Sequence, residues 1–258
     1  MRTDKMQLQR FEIKYLVPES VAFAARDFIR SYLVPDEFSL GRPDYSYPVH
    51  SLYLDSRPLK FYRQTVNGDK NRYKLRVRFY DDELDSPVFL ETKRRMNNVI
   101  IKQRCAVRRD AIATILAGQN PGSEFVMSTL PGELFAMESF MERMLVERAV
   151  PVAHVAYKRE AWMSPRNNSV RVTLDRSVRF SPQPLPRLST FMEKPLSVFR
   201  PEVILELKFT DRFPNWFTEL VRVFNLRQDS AAKYAMGIMT YGEERILEAQ
   251  NRIMTEVA

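Results

Sequence analysis

The chain has 258 residues, 45% of them hydrophobic, so it can bury a substantial core as one large β domain or two small ones. Its 40 Lys and Arg against 32 Asp and Glu give a net charge of +8, which favours an anionic partner such as polyphosphate, nucleotide, nucleic acid or acidic lipid. The single cysteine, Cys105, excludes an intramolecular disulfide, and the lack of any apolar run of about 18 residues excludes a transmembrane helix. We therefore expect one cytoplasmic domain over residues 1–258.

The first 150 residues predict five strands mixed with helices. Alternating polar and apolar residues place the strands at 9–17, 49–54, 73–80, 88–95 and 99–108. Short polar loops join the last three strands, which should form an antiparallel meander. Helices are expected from Pro18 to about Tyr32, from 55–58 to Thr65, from an Asp110 cap to Leu116, and over about 134–148 with a break near Pro131.

The second half adds three strands, at 152–163, 169–180 and 202–209. The first two are joined by a turn at 164–168, and residues 181–201 hold five prolines and are expected to be irregular. Helices are expected at 213–224 and from 230 to about 253. About eight strands with helices outside predict an α+β fold built on a closed antiparallel β-barrel.

Charged residues sit two apart inside these apolar strands, so each set shares one face of its strand. The cations of this pattern are Arg10, Lys14, Arg76, Arg78, Lys93, Lys102, Arg104, Arg159, Arg171 and Lys208, and the acids are Glu12, Glu91 and Glu206. An apolar core could not hold this set, because each unpaired buried charge costs several kcal/mol. A solvated sheet face remains open, but a water-filled interior that binds a linear phosphate anion accounts for all the strands together. The carboxylates would then hold Mg²⁺ or Mn²⁺.

Seven short motifs occur in the order found in one known family. They are RFEIKY at 10–15, KLRVR at 74–78, LETK at 90–93, YKR at 157–159, RVTLD at 171–175, LELK at 205–208 and KY at 233–234. Over about residues 8–242 the chain resembles the VTC domain, the catalytic domain of the eukaryotic vacuolar transporter chaperone polyphosphate polymerase and its bacterial relatives. That family belongs to the triphosphate tunnel metalloenzymes of CYTH-like fold. The resemblance therefore implies an antiparallel barrel that encloses a tunnel.

The resemblance also implies roles for individual residues. The expected catalytic residues that grip the nucleotide and the product chain are Lys14, Arg76, Arg78, Lys93, Arg159, Arg171 and Lys233. Arg10, Lys102, Arg104 and Lys208 are expected to bind polyphosphate, Glu206 to bind Mn²⁺ or Mg²⁺, and Glu12 to be an accessory metal ligand. The family motif at Lys233 usually reads Ser-Lys-Tyr, whereas this chain has Ala232, which lacks the hydroxyl for one phosphate hydrogen bond.

The implied activity is transfer of the γ-phosphate of ATP to a growing polyphosphate chain. A triphosphatase of the same superfamily is an alternative, although those enzymes begin with Glu-x-Glu-x-Lys and this chain has Arg10 at the first position. A non-catalytic module that senses polyphosphate or inositol polyphosphates is a second alternative, which Ala232 keeps open. No recognised nucleic-acid motif occurs. The oligomeric state, the primer, the product length and coupling to a separate membrane protein stay open.

Overall fold

The computed structural model describes residues 10–97, 99–128, 130–165, 169–210 and 212–257. The strands within these ranges are β1 (Arg10–Val17), β2 (Val34–Pro35), β3 (Ser46–Asp55), β4 (Asn71–Phe79), β5 (Val88–Met96), β6 (Val99–Val107), β7 (Val150–Met163), β8 (Val170–Pro182), β9 (Leu196–Ser197) and β10 (Val203–Thr210). The α-helices are α1 (Glu19–Ile29), α2 (Lys60–Val66), α3 (Ile112–Leu116), α4 (Pro131–Val146), α5 (Asn215–Val223), α6 (Lys233–Tyr241) and α7 (Glu243–Val257). The fold is α+β, with a large antiparallel sheet and seven helices in the described residues.

The ten strands form one sheet in the order β1-β10-β8-β7-β3-β4-β5-β6, with β2 paired to β7 and β9 paired to β8. This order has two ends, β1 and β6. Within the described residues no ladder joins these ends, so the closed barrel that the sequence predicts is not confirmed.

The chain divides into two compact units. The first comprises residues 1–48, 157–178 and 199–231, and the second comprises 49–156, 179–198 and 232–258. Strands β3, β7 and β8 pass from one unit into the other along the chain. The single domain over residues 1–258 stays a prediction.

The core of the first unit lies between α1, α5 and one face of β1, β8 and β10. Ala22, Ala25 and Ile29 are fully buried, and their spacing of three and four residues gives α1 one apolar face. Leu205 and Leu207 of β10 are also fully buried. Because side chains alternate along a strand, Glu206 between them and Lys208 after them point to the opposite face.

Helix α1 is shorter than predicted, since it ends at Ile29 instead of about Tyr32. After the helix, Pro35 lies in the short strand β2, opposite Trp162 of β7. The next residue continues this pairing, because the Asp36 N–H donates to the Ala161 carbonyl at 2.9 Å. Pairing with β7 thus fixes the chain after the helix in an extended conformation.

The second unit contains the predicted meander of β4, β5 and β6, which is confirmed as antiparallel. Its apolar face is fully buried at Leu75, Val77 and Cys105 and packs with α4 around Phe140. Pro131 does not break α4 but begins it, which suits proline because the first helical N–H needs no partner within the helix.

Two helix predictions are wrong, the cap of α3 and the continuity of the last helix. Asp110 lies inside a 3₁₀ turn over Arg109–Ala111 and accepts hydrogen bonds from Arg108 instead of capping α3. The single helix expected from 230 to about 253 is interrupted at Gly242, whose φ of 107° is incompatible with an α-helix.

The turn expected at 164–168 includes residues 166–168, which lie outside the described residues. No helix in the described part of the chain is both long and apolar enough to cross a membrane.

Candidate phosphate-binding clusters

The polar face of the meander brings distant cations together in the second unit. Arg76 lies opposite Glu91 in the β4–β5 ladder, and Glu91 lies opposite Arg104 in the β5–β6 ladder. Lys93 lies on the next rung of the same face, opposite both Lys74 and Lys102. The apolar residues between these positions point into the core, so register alone places the charges on one surface. We refer to Arg76, Arg78, Glu91, Lys102 and Arg104 as the Glu91 cluster.

Glu91 is the centre of this cluster and is only 2% exposed. Its carboxylate accepts from Arg76 at 2.7 Å and lies 2.8 Å from the Lys102 ammonium. Arg78 and Arg104 lie at 3.7 and 3.6 Å from the same carboxylate. Burial opposes the negative charge, but Arg78, Arg76 and Lys102 outweigh that effect and hold the pKa of Glu91 well below its usual value. The sequence pattern grouped Glu91 with the carboxylates expected to hold a metal ion, whereas in the structure Glu91 pairs with these cations.

Two hydrogen bonds and a ring stack link the Glu91 cluster to the start of α6. Arg76 donates to the Tyr53 hydroxyl at 3.0 Å, and the Tyr53 ring stacks on Tyr234 with 4.8 Å between centroids. The Tyr234 hydroxyl donates to the buried Asp55 carboxylate at 3.0 Å. Lys233 is the first residue of α6 and precedes Tyr234 in the sequence. It is 91% buried. Tyr53 and Asp55 were not predicted as site residues, because their partners are far away in sequence.

Asp55 is held by the α2 helix that follows it. Its carboxylate accepts from the backbone N–H groups of Phe61 and Tyr62 at 2.8 and 2.9 Å. Burial raises the pKa of Asp55 to about 6, although these hydrogen bonds and the one from Tyr234 partly offset the rise. The helix predicted to begin at residues 55–58 begins instead at Lys60, after Leu59, but the Asp55 carboxylate does bind N–H groups of its first turn.

A second group of charges lies on the polar face of β1, β8 and β10 in the first unit. Lys14 lies opposite Glu206 and Glu12 lies opposite Lys208 in the β1–β10 ladder. The Lys14 ammonium is 3.0 Å from Glu12 and 3.4 Å from Glu206, and the Lys208 ammonium is 2.6 Å from Glu206. We call this group the Glu206 cluster, and its members are Glu12, Lys14, Arg159, Asp175, Glu206 and Lys208.

Arg159 and Asp175 complete the Glu206 cluster. The Arg159 guanidinium makes two parallel hydrogen bonds of 2.7 Å to Asp175 and lies 3.9 Å from Glu206. Burial disfavours the charge of Arg159, but Asp175 outweighs it and raises the pKa. Bidentate pairing of this kind fixes the plane of a guanidinium. Asp175 belongs to a sequence motif but was not predicted as a site residue.

The lysines of the Glu206 cluster respond differently to the same burial. Glu12 and Glu206 outweigh desolvation at Lys14 and raise its pKa, whereas burial, only partly offset by Glu206, lowers the pKa of Lys208 to about 8. The cluster contains three cations and three carboxylates, so its formal charges cancel. In the Glu91 cluster, four cations face one carboxylate.

The remaining predicted residues lie near these clusters or outside the described side chains. Arg171 lies opposite Lys208 and donates to Asp36 at 2.6 Å, a partner that the sequence did not reveal. Arg10 begins β1 opposite Thr210, but its side chain is outside the described part of the structure. The functions of all these residues stay predictions.

Glu12 and Glu206, the expected metal ligands, lie close together, but few further oxygen ligands surround them in the described residues. Within the described residues, no group of three or more His, Cys, Asp or Glu side chains is arranged to hold a metal ion. Glu12 and Glu206 flank the ammonium of Lys14, so two carboxylates converge on one cation. Mg²⁺ is commonly bound by one or two carboxylates together with substrate phosphates. The pair therefore fits a metal only if phosphate oxygens complete its coordination.

The family model of the VTC domain matches residues 9–241, so the chain belongs to the VTC domain family. Membership supports a polyphosphate- or triphosphate-related function. No curated protein matches the chain.

Solved structures give weaker likenesses. One from Bacillus halodurans, described provisionally as an adenylate cyclase, is 12% identical with a TM-score of 0.48, covering 87% of this chain and 94% of the other. One from Pyrococcus horikoshii OT3 is 10% identical with a TM-score of 0.46, covering 90% and 99%. Likeness at this level carries no functional conclusion.

Proposed function

We propose that this protein is an ATP-dependent polyphosphate polymerase that uses Mn²⁺ or Mg²⁺. The observation that carries the proposal is the Glu91 cluster, where four cations converge on one buried carboxylate on the polar face of the meander. Membership in the VTC domain family supports the same substrate class. A linear phosphate chain is a ligand with enough negative charge to match such a surface, and arginine suits phosphate because its donors form a rigid fork.

In the proposed reaction, a terminal oxygen of the growing chain attacks the γ-phosphorus of ATP. A new P–O bond forms, the bond from the γ-phosphorus to the β–γ bridging oxygen breaks, and its electron pair leaves with ADP. The attacking oxygen is already anionic, so no general base is required. The protein's part is to position the phosphates and to neutralise charge on the transferring group. Arg76 and Arg78 of the second unit are proposed for this role. Lys14 and Arg159 of the first unit are proposed to bind phosphate groups.

Glu206 and Glu12 are the residues proposed to hold the divalent metal. The metal would neutralise phosphate charge and polarise the phosphoryl oxygens when bound.

The test is incubation of the purified protein with ATP and Mn²⁺ or Mg²⁺. We expect ADP and acid-labile polyphosphate to form together. Orthophosphate without polyphosphate would instead identify a triphosphatase. ATP left intact would favour the non-catalytic binding module. That second candidate has one observation in its favour: Ala232 occupies the N-cap of α6 and makes no side-chain cap hydrogen bond.

A further inference from the structure

A recess lined by basic residues lies at the end of the β4–β5 ladder, outside the Glu91 cluster. Its volume is about 550 Å³, and it is lined by Gly68, Lys70, Arg72, Arg95 and Asn97. Three of these five residues are cations and none is a carboxylate. The proposed reaction does not use any of them.

The recess continues the polar face of the meander. Arg72 lies opposite Arg95, two rungs beyond the pair of Arg76 and Glu91. Since alternate residues share a face, Arg72 extends the row formed by Arg76 and Arg78. The row therefore stays on one face of the sheet from the Glu91 cluster to the open end of the β4–β5 hairpin, where β4 begins and β5 ends.

The backbone holds the two arginines of the recess in place. Arg72 donates to the Asp69 carbonyl, and Arg95 donates to the Asn97 carbonyl at 2.9 Å. The Asn97 N–H donates to the Lys70 carbonyl at 2.9 Å, which extends the pairing of β4 with β5 by one residue. Like charges directly opposite in a ladder are destabilising, and burial together with Arg95 lowers the pKa of Arg72. A bound anion would relieve this repulsion.

The length of the row limits which anion could use it. Arg78 and Arg72 are six residues apart, so the row spans roughly 20 Å at about 3.3 Å per residue. A triphosphate is too short to contact both ends, whereas a longer linear polyphosphate could. We propose that the recess binds distal phosphates of linear polyphosphate and so favours long chains over triphosphates. The identity of the anion rests on the proposed function.

The test compares the affinities of two ligands for the whole protein without ATP. The double variant R72Q/R95Q removes two half-exposed charge contacts, so binding of polyphosphate with dozens of units should weaken about tenfold. Binding of tripolyphosphate should change less than about twofold, because the residues of the Glu91 cluster remain. The single variant Lys70→Gln should show the same selectivity to a smaller degree. Because no turnover is measured, a protein that fails the polymerase assay can still pass this one.

The control is Arg30→Gln, which removes one positive charge, as Lys70→Gln does, from an exposed position on the other unit next to Asp27. It should leave both affinities unchanged, and melting curves should show that every variant is folded. The proposal would be overturned if the variants weakened the binding of both ligands equally. It would also be overturned if neither R72Q/R95Q nor Lys70→Gln weakened the binding of the long polyphosphate. Equal weakening of a single-stranded oligonucleotide of matched charge would also overturn it, because the recess would then be a general polyanion contact.

Discussion

Glu91 balances four cations within one small region of the second unit. Glu91→Gln would remove that balance and leave the cations to repel one another. Because Lys102 and Arg104 are about 40% exposed and can be rehydrated, we expect a smaller loss than the roughly 3–5 kcal/mol of a fully buried pair, about 2 kcal/mol in the free energy of unfolding. Urea unfolding of both proteins measures the difference.

The same variant should gain more from an added anion. Tripolyphosphate would take the place of the lost carboxylate, so it should raise the melting temperature of Glu91→Gln more than that of the parent. Glu83→Gln is the matched control, because it removes one exposed carboxylate from the same unit. An equal anion effect in all three proteins would show that Glu91 has no part in ordering the cations.

The stability difference between the parent and Glu91→Gln should also depend on pH. The folded-state pKa of Glu91 lies below its unfolded value, so the unfolded chain binds its proton first as pH falls. The contribution of Glu91 is therefore complete above about pH 5 and is lost as pH drops through the folded-state pKa. The stability difference between the parent and Glu91→Gln should shrink over that range.

At the scale of elements, α6 depends on the hydrogen bond from Tyr234 to Asp55. Tyr234→Phe keeps the ring stacked on Tyr53 but removes this bond, at a cost of about 1 kcal/mol. The bond also holds down the pKa of Asp55, which is about 6, so its loss should raise that pKa further. A raised folded-state pKa means that stability falls as pH rises toward it. The destabilisation by Tyr234→Phe should therefore be larger at pH 7 than at pH 5.

Tyr53→Phe is the comparison for this effect. It removes the hydroxyl that accepts from Arg76 and leaves the hydrogen bonds of Asp55 intact. Its destabilisation should not grow between pH 5 and pH 7. A Tyr234→Phe effect that is equally flat would show that Tyr234 does not influence the ionisation of Asp55.

The sequence predicted elements best where polarity alternates along a strand. The meander was predicted correctly because Leu75 and Val77 alternate with arginines and its loops are short. The interruption of the last helix was missed because one glycine, Gly242, does not by itself decide between a tolerated residue and a chain break. The cations of the candidate site were visible as a pattern. Their partners were not, since Asp36 meets Arg171 across 135 residues and no local signal encodes that contact.

At the scale of the whole chain, the two polar faces differ in their balance of charge. The alternate positions of β4, β5 and β6 that share the polar face carry eight cations and one carboxylate. These are Arg72, Lys74, Arg76, Arg78, Lys93, Arg95, Lys102 and Arg104, with Glu91. In the Glu206 cluster the cations and carboxylates are equal in number. An anion should therefore be drawn first to the second unit, whereas the first unit should need a metal ion to attract phosphate.

Backbone amide chemical shifts can test this difference unit by unit. Tripolyphosphate alone should shift the signals of β4, β5 and β6 and leave those of β1 and β10 nearly unchanged. Adding Mg²⁺ should then shift β1 and β10, because a metal at Glu12 and Glu206 would make the balanced local charge positive. Glu206→Gln should abolish only this second step. Shifts of equal size in both units before Mg²⁺ is added would mean that the balanced charges of the Glu206 cluster do not restrain phosphate binding there, and that its carboxylates are not reserved for a metal.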